Sequence, residues 1–352
     1  MSKLPNPIKM SVVVPTHGRT DLFKLTLNCL EQQTSKQFEI IVTDDSPSEK
    51  DRKIIKKAIS VFSRKDIAIR YVFSEPNILQ APNTNQGIRF ARGGYIRILH
   101  SDDLIAPTCI EKEIKIFDEN KDLDFFYHHA ITFTENIDFI NKEIPLKRID
   151  IKQCWLSRSI FLGTVLPTCL CFRKSLYKRI GGMNEKYKFL CDWQLFFDFL
   201  LDSYKNKKMT GYIDRGYVGW RIHSNSVSNK LFFLHFFEHE DFIKNITKTY
   251  KSWKILPKKS LLNNIYEATL YRYSRLNQDI KRQQFGLNSI KNLLTYLYIC
   301  FSRKYMIVHL ILTLLFLPIN LIKMLCCILK KLFFHTSEIQ QKCELKMIRL
   351  WK

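Results

Sequence analysis

The sequence lacks several features that would assign it to a class of protein at once. Its ten cysteines have no paired CxxC spacing of the kind used by structural zinc sites, so we interpret them as reduced thiols. Residues 1–9 contain no apolar core of signal-peptide length, which predicts that the chain begins in the cytoplasm. Internal repeats and low-complexity tracts are also missing, which argues against solenoid and fibrous architectures.

Acidic residues are much less frequent than basic residues in this chain. The 352 residues contain 56 Lys and Arg against 33 Asp and Glu, which gives a formal net charge of +23. Such an excess favours polyanionic partners, whether nucleic acid, anionic lipid headgroups or phosphate-bearing substrates. Residues 241–352 alone hold 20 Lys and Arg against 5 Asp and Glu, so the N-terminal part is closer to an ordinary enzyme surface. The hydrophobic content of 46% is enough to bury a core.

Strand and helix patterns alternate through the first hundred residues. Apolar runs predict strands at 10–14, 38–43, 67–73 and 95–99, and helical spacing predicts helices at 21–33, 49–62 and 84–92. This alternation is typical of a doubly wound, mostly parallel α/β sheet. After about residue 230 the composition becomes Lys-rich and aromatic without strand alternation. We therefore predict one α/β domain over residues 1–230 and a basic helical extension over residues 231–352.

Three polar clusters follow predicted strands, at 15–19, 44–46 and 101–103. Ligands of parallel sheets bind at the carboxyl ends of the strands, where loops and helix N-termini converge, so one site is expected from all three clusters. The adjacent Asp102 and Asp103 need a cation or hydrogen-bond donors to offset their like charges, and carboxylate oxygens suit Mg²⁺ or Mn²⁺. An aspartate that caps the following helix is the alternative interpretation of this pair.

Five segments of the chain combine strand ends with polar motifs. They read VVVPTHGR at 12–19, EIIVTDDS at 39–46, APNTNQGIRFARGGYIRILHSDD at 81–103, GGMNEKYKFLCDWQLFF at 181–197 and WRIHSNSVS at 220–228. Their order and spacing over about 220 residues resemble those of the family 2 glycosyltransferases with a GT-A fold. This resemblance implies a Rossmann-like GT-A domain that transfers a sugar from a nucleotide-sugar donor, with a UDP-sugar as the better expectation.

The resemblance also implies residue roles. Asp192 matches the general base of inverting members, and one displacement with one base predicts inversion at the anomeric carbon. Asp103 and His223 match positions at the metal, Mn²⁺ or Mg²⁺. The donor-binding positions are Pro15, Thr16, Arg19, Asp44, Asp45, Asn83 and Asp102. Two positions depart from the family pattern, because Cys191 stands where many relatives have glutamate and Pro82 where arginine is common. These departures remove a possible acceptor contact and a possible phosphate contact.

Each assignment has a plainer alternative. Asp192 also suits the first turn of a helix, where a negative charge interacts favourably with the helix dipole. Asp45 also suits a tight turn, and His223 also suits a hydrogen-bonded surface position. Three further histidines have no ligand spacing and are expected to be structural, namely His100, His128 and His129.

The C-terminal third contains one long apolar stretch. Residues 306–322 include no formal charge, and basic residues flank both ends. At about 1.5 Å per residue this stretch spans about 26 Å, short of a roughly 30 Å hydrocarbon core, and Pro318 weakens a continuous helix. We predict that the segment at about 305–334 lies at the membrane interface, with a spanning helix or a buried soluble helix as alternatives.

The basic tail and the resemblance together predict the setting of the reaction. They predict a glycan or polyprenyl-diphosphate-linked acceptor at the cytoplasmic face of a bacterial inner membrane, in O-antigen or capsule biosynthesis. Two rival interpretations remain, namely a catalytically silent membrane scaffold of the same fold and a nucleic-acid-binding protein. The sequence has no recognisable nucleic-acid recognition motif, so nucleic acid is not an expected partner.

Overall fold

The computed structural model describes residues 7–74, 76–139, 143–150 and 165–223, together with Glu238, Asp241, Phe242 and Asn245. The chain divides into two compact units, Met1–Leu256 and Pro257–Lys352, and all described residues belong to the first. The predicted boundary near residue 230 and the apolar segment at 305–334 lie outside the described residues. Within the described ranges, no helix combines the length and the apolar character needed to cross a membrane.

Four strand and helix repeats open the chain. The strands are β1 (Met10–Thr16), β2 (Phe38–Asp44), β3 (Ala68–Phe73) and β4 (Tyr95–Ile98), and the helices are α1 (Thr20–Glu31), α2 (Glu49–Ser60), α3 (Gln80–Phe90) and α4 (Cys109–Glu119). Every residue of β2 and all but one of β1 are buried, as their apolar sequences predict. All seven predicted elements are confirmed, and only the start of α3 differs by more than two residues.

Shorter elements follow. They are β5 (Leu104–Ile105), β6 (Phe125–His128), β7 (Ile131–Phe133), β8 (Lys147–Ile149), a 3₁₀ turn (Pro167–Cys169), β9 (Leu170–Arg173), α5 (Lys174–Ile180), α6 (Cys191–Lys205), β10 (Thr210–Ile213) and β11 (Val218–Arg221). Eight strands form one sheet in the order β3-β2-β1-β4-β9-β6-β10-β8. Strands β1 to β4 pair in parallel, and β9 runs antiparallel between β4 and β6. The predicted α/β class with a mostly parallel sheet is confirmed.

A second, smaller sheet has three strands. Its order is β5-β11-β7, with β11 antiparallel to β5 and parallel to β7. Strand β5 directly follows Asp103, and β11 precedes His223 by two residues. The pairing of β5 with β11 therefore brings two segments that are far apart in the sequence to the same loop region.

Helix α3 packs directly on the central strands. A Cβ atom added at Gly87 would lie 2.4 Å from Val13 Cγ1 and 3.0 Å from Thr43 Cγ2, so no larger residue fits there without movement. Asn83 lies one turn earlier in the same helix, at the carboxyl ends of β1 and β2. The close packing at Gly87 thus fixes how near α3 lies to the sheet, and with it the position of Asn83 at the strand ends.

A buried ionic network lies beneath β4. Arg97 has none of its surface exposed, and its guanidinium pairs with Glu113 of α4. Glu113 Oε1 lies 2.8 Å from His128 Nε2 and 3.3 Å from Cys109 Sγ, while Arg97 Nη2 donates to the Thr168 carbonyl at 2.7 Å. Burial opposes the charge on Glu113, but Arg97 and His128 outweigh it and hold the pKa of Glu113 below its usual range. A charged pair is therefore part of the core.

Cys109, Glu113 and His128 also place donor atoms within 4.8 Å of one another, a grouping that suits a metal ion. However, the guanidinium of Arg97 contacts the same carboxylate oxygen, and its positive charge would repel a cation there. We therefore assign these side chains to the ion pair. His128 is structural, as the sequence predicts, and the five described cysteines are free thiols.

Candidate active site

The three polar clusters at the carboxyl ends of the strands contact one another. Asp45, after β2, donates its backbone N–H to the Thr16 carbonyl of β1 at 3.2 Å. Arg19, before α1, donates through Nη1 to Asp102 Oδ2 at 2.5 Å, which joins its loop to the loop after β4. The structure thus brings all three clusters to one edge of the sheet, as the order of strands and helices predicts.

The loop after β1 has an unusual backbone. Pro15 and Thr16 end the strand, with Pro15 partly exposed and Thr16 buried. Gly18 and Arg19 then adopt left-handed φ angles of 62° and 50°. Gly18 donates its N–H to Ser46 Oγ at 2.6 Å, which fixes the loop against the end of β2. A left-handed conformation is costly for a residue other than glycine, and here it accompanies the bond from Arg19 to Asp102.

Both aspartates at the end of β2, Asp44 and Asp45, are buried and hydrogen-bonded. Asp44 Oδ2 accepts from Tyr71 Oη at 2.8 Å. Asp45 Oδ2 accepts from the Leu79 backbone N–H at 3.1 Å, and Asp45 Oδ1 lies 3.0 Å from His17 Nδ1. The hydrogen bond to Asp45 is the main cause that raises the pKa of His17, whose side chain is 48% exposed. Of the two aspartates, Asp45 is therefore the one that lies beside the solvent-accessible ring of His17. The sequence analysis predicts no role for His17.

Asn83 is buried and connects three strand ends. Its Nδ2 atom donates to the Thr43 carbonyl at 3.2 Å and lies 3.4 Å from Asp45 Oδ1 and 3.5 Å from the Thr16 carbonyl. Its Oδ1 atom accepts from Ser74 Oγ at 3.1 Å, and only 2% of its surface is exposed. Asn83 therefore supports this edge of the sheet, and its direct contact with a donor stays a prediction.

The adjacent aspartates after β4 have different surroundings. Asp102 Oδ2 accepts from Arg19 and lies 3.0 Å from His223 Nε2, and the Asp102 side chain is 13% exposed. Asp103 is 1% exposed, and its Oδ1 accepts from the Arg221 backbone N–H at 2.9 Å. Burial opposes ionisation of Asp102, but Arg19 and the nearby histidines hold its pKa below the usual range. Burial and the charge of Asp102 raise the pKa of Asp103.

The donor atoms of this loop fit a divalent cation. His100, Asp102 and Asp103 place ligating atoms within 4.8 Å of one another. Asp103 Oδ2 is buried without a hydrogen bond of ordinary geometry from the described part of the chain, and a cation would provide the missing partner. Carboxylate oxygens suit hard divalent cations such as Mg²⁺ and Mn²⁺. The sequence expects His100 to be structural, whereas the structure places its ring in this group.

Arg221 of β11 anchors the same loop. Its Nε donates to the Asp102 carbonyl at 3.0 Å, its backbone N–H donates to Asp103, and its guanidinium lies 4.4 Å from the centroid of the Phe133 ring. His223 follows two residues later and reaches Asp102. Arg221 and His223 both belong to the segment WRIHSNSVS, as an arginine and a histidine two residues apart (Arg-x-His), but the sequence predicts a role only for the histidine. The structure shows that the arginine holds the loop of both aspartates.

Asp192 lies in the first turn of α6. Its Oδ1 accepts from the Trp193 backbone N–H at 2.8 Å. Burial is the main cause that raises the pKa of Asp192 to about 7, against the opposing effect of backbone hydrogen bonds. A raised pKa near neutral pH suits a general base, and the place of Asp192 in the first turn also allows a favourable interaction with the helix dipole. Cys191, the departure from the family pattern, is 1% exposed.

Asn85 of α3 contacts the loop that leads to Asp192. Its Nδ2 donates to the Met183 carbonyl at 2.9 Å and to Glu185 Oε1 at 2.8 Å. Its Oδ1 accepts from the Met183 backbone N–H at 3.0 Å. Asn83, two residues earlier in the same helix, contacts Asp45 at the carboxyl end of β2. Helix α3 therefore holds both sides of the site, a function the sequence does not predict for Asn85.

Gly182→Ala is expected to destabilise the protein more than Gly181→Ala, by about 1–3 kcal/mol. Both glycines have a left-handed φ, 83° and 84°, so both substitutions strain the backbone. A Cβ at Gly182 would lie 2.9 Å from Asn85 Oδ1 and 3.1 Å from the Tyr177 ring, whereas a Cβ at Gly181 meets no atom within 4 Å. Urea unfolding of both variants measures the difference. Equal unfolding free energies would show that Asn85 shifts without cost.

Comparison with known proteins agrees with this arrangement. The profile of the family described as "Glycosyl transferase family 2" matches residues 11–181. An uncharacterized glycosyltransferase of Haemophilus influenzae is 26% identical over 205 residues, which are 58% of this chain and 64% of that protein. The amylovoran biosynthesis glycosyltransferase AmsB of Erwinia amylovora is 26% identical over 145 residues, 40% of this chain and 47% of that protein. The chain spans less than two thirds of the length of these relatives.

A solved structure shares the fold. The structure of S. aureus TarS 1-349 in complex with UDP has a TM-score of 0.54 and 19% sequence identity, and the match covers 83% of this chain and 80% of that chain. At this identity the likeness concerns the fold. Together with the family match and the order of strands described above, it leads to one conclusion. Residues 11–181 are a family 2 glycosyltransferase domain, and the described residues have a GT-A-like fold.

Proposed function

We propose that the protein is an inverting, metal-dependent glycosyltransferase that moves a sugar from a UDP-sugar to a hydroxyl group of a glycan or lipid-linked acceptor. The observation that carries this proposal is the meeting of Asp102 and Asp103 with Arg19 and His223 at one edge of the sheet. Carboxylates for a cation and donors for anionic oxygens lie side by side there. A nucleoside diphosphate with its cation requires both.

The nucleotide is proposed to lie against the ends of β1 and β2. Pro15 and Thr16 end β1, and Asp45 Oδ1 faces the half-exposed ring of His17. Rotation of that ring would free the oxygen to accept an N–H from a pyrimidine base. The UDP held by TarS, which has the same fold, supports a uridine nucleotide as the first choice.

The diphosphate end is proposed to lie at the loop after β4. Asp102, Asp103 and His223 would hold Mn²⁺ or Mg²⁺ there, with His100 as a further ligand from the same group. The cation, when bound, supplies positive charge that stabilises the departing diphosphate. Arg19 donates to Asp102, and the oxygens of a bound diphosphate would compete for that guanidinium.

Asp192 is proposed to act as the base. The acceptor oxygen attacks the anomeric carbon while the bond from that carbon to the diphosphate oxygen breaks, and the electron pair of that bond leaves with the diphosphate. The hydroxyl proton passes to the Asp192 carboxylate as attack proceeds. A pKa of about 7 leaves much of the carboxyl ionised at neutral pH. A single displacement of this kind inverts the configuration at the anomeric carbon.

The acceptor is proposed to be an intermediate of a surface polysaccharide, O-antigen or capsule, carried on a polyprenyl diphosphate. The name of AmsB, an amylovoran biosynthesis glycosyltransferase, supports a polysaccharide product. The net charge of +23 favours an anionic lipid acceptor at the cytoplasmic face of the inner membrane. Attachment by residues 305–334 stays a prediction, since that segment lies outside the described residues.

Metal-dependent consumption of a UDP-sugar by the purified full-length protein tests this proposal. We expect mass spectrometry to show turnover of one donor from a panel, with a membrane or polyprenyl-linked acceptor, that stops on chelation and returns with Mn²⁺ or Mg²⁺. Asp102→Asn should lower turnover by about 10² to 10³, because it weakens the binding of the cation that would stabilise the developing negative charge. Calorimetric titration of Mn²⁺ should show weaker binding to the same variant.

The matched control is Asp21→Asn, the same substitution at a side chain that is 92% exposed in the first turn of α1. It should leave turnover and Mn²⁺ binding unchanged. Donor consumption that persists without metal, or that survives Asp102→Asn, would contradict the metal-dependent mechanism. If no donor is bound or consumed with a competent acceptor, the silent scaffold becomes the leading account.

A further inference from the structure

Four residues beyond the GT-A strands return to the loop before Asp192. Glu238, Asp241, Phe242 and Asn245 are helical, and their spacing of three, four and seven residues places them on one face. We call them the clamp residues. Their contacts fall on residues 186–190, which we call the clamped loop, and on α6 itself.

Glu238 makes the most extensive of these contacts. Its Oε1 accepts from the Lys188 backbone N–H at 2.7 Å, and its Oε2 accepts from the N–H groups of Phe189 and Leu190, both at 2.8 Å. Three consecutive backbone donors therefore converge on one carboxylate. Hydrogen bonds to a charged acceptor are about twice as strong as those between neutral groups. The backbone of the clamped loop is thus fixed by a side chain 48 residues or more away in sequence.

This contact satisfies one backbone donor at the start of α6, the N–H of Leu190. The helix begins at Cys191, and the residue before it, Leu190, has no side-chain oxygen to cap the free backbone donors. The carboxylate of Glu238 provides negative charge at this end of the helix, where the dipole favours it. Asp192 lies in the turn that follows, so its place depends on the same few backbone atoms.

The other clamp residues hold the remainder of the loop. Tyr187 Oη donates to Asp241 Oδ2 at 3.1 Å and accepts from Asn245 Nδ2 at 2.9 Å. Phe242 is fully buried and meets the rings of Tyr187 and Phe197 edge-on, at 6.1 Å and 5.8 Å between centroids. Packing of this kind fixes the helical face that presents Glu238.

We propose that Glu238 is a positioning residue for Asp192, and that the clamp residues are a required part of the catalytic unit. This inference rests on the proposed role of Asp192 as the base. The carboxylate of Glu238 holds the turn that carries Asp192, and its negative charge also acts on that group. It raises the pKa of Asp192, in addition to the larger effect of burial.

Glu238→Gln in the full-length protein tests the proposal. The amide keeps one acceptor oxygen, but its NH₂ group would face one or two backbone N–H donors. We expect kcat to fall by about 10-fold to 10²-fold, since small displacements of a reacting group have effects of this size, while KM for the donor stays the same. The acid limb of the pH–rate profile should move to lower pH, because the lost negative charge no longer favours protonation of Asp192.

Three further variants complete the experiment. Glu238→Asp keeps the charge and should recover part of kcat and the original acid limb. Tyr187→Phe removes only the hydroxyl bonded to Asp241 and Asn245, and should lower kcat by a few-fold. Glu119→Gln changes an exposed side chain of α4 and is the matched control with unchanged kinetics.

A double substitution separates positioning from general support of the fold. In the Asp192→Asn background, Glu238→Gln should cause no further loss of kcat, because residues that act through one another are not additive. An additive loss, or an unshifted acid limb, would overturn the positioning role. If Glu238→Gln has no effect while Asp192→Asn inactivates the protein, the inference fails and the proposed function stands. If both variants keep full activity, the role proposed for Asp192 as the base fails together with the inference, while the transferase activity itself stands.

Discussion

Replacement of Asp192 by asparagine is expected to lower kcat by about 10² to 10⁴, the range typical for removal of a general base. Asparagine keeps the oxygen that accepts from the Trp193 backbone N–H, so the start of α6 should be preserved. KM for the donor should change little, because the donor contacts proposed above lie at the ends of β1, β2 and β4. Steady-state kinetics with the competent acceptor provides the measurement. Asp21→Asn serves as the control.

The pH dependence gives a second reading of the same group. Only the ionised carboxylate accepts the proton, so wild-type activity should rise with pH through about 7. The pKa of Asp192 in the folded protein, about 7, lies above the ordinary value of about 4 in the unfolded chain. Between pH 4 and pH 7, roughly, the folded protein therefore binds more protons than the unfolded chain. Its free energy of unfolding falls as the pH rises through this range. Asp192→Asn should therefore be more stable than wild type at pH 8, with little difference at pH 3 to 4. Equal activity of the two proteins would exclude Asp192 as the base.

Arg97→Met is expected to destabilise the protein by about 3–5 kcal/mol, because it leaves the buried carboxylate of Glu113 without its cation. Folded domains have total stabilities of about 5–15 kcal/mol, so this is a large share. The free energy of unfolding in urea, compared with wild type, gives the measurement.

The double variant Arg97→Met with Glu113→Leu tests the cause. Removal of both charges should restore much of the lost stability, since the cost of the single variant comes from an unpaired charge and not from the missing guanidinium itself. If the double variant is as unstable as the sum of the two single variants, packing around β4 accounts for the effect and the ion pair does not.

The parallel half of the sheet follows closely from the sequence. Apolar runs and helical spacing place β1 to β4, α1 and α2 within two residues, because these elements are long and strongly patterned. The start of α3 is the exception. The spacing predicts Thr84, but the helix begins at Gln80, because proline is tolerated in a first turn and Pro82 therefore does not delay it. Strand β9 has only four residues, too few to reveal its antiparallel direction.

The site is predictable where its residues adjoin strand ends. Asp45 and Asp102 are found in this way, because topology alone brings the ends of β2 and β4 to one edge. The residues that hold these loops in place are not predictable in this way, because they come from distant segments of the chain. Arg221 reaches Asp103 across 118 residues, and Glu238 reaches Leu190 across 48. No local pattern encodes such contacts, although the single arginine of the Arg-x-His segment was a usable signal.

The pairing of β5 with β11 has a consequence for how the protein becomes active during its synthesis. Asp103 leaves the ribosome 118 residues before Arg221, a delay of about 6 to 24 s at roughly 5–20 residues per second. Until β11 is made, the two aspartates have no backbone donor from residue 221 and no imidazole from His223. Strands β1 to β4 are all translated by then. On the roles proposed above, the nascent chain is expected to complete the proposed cation site after the proposed nucleotide site, so an early fragment would bind a nucleotide without being able to cleave the sugar from it.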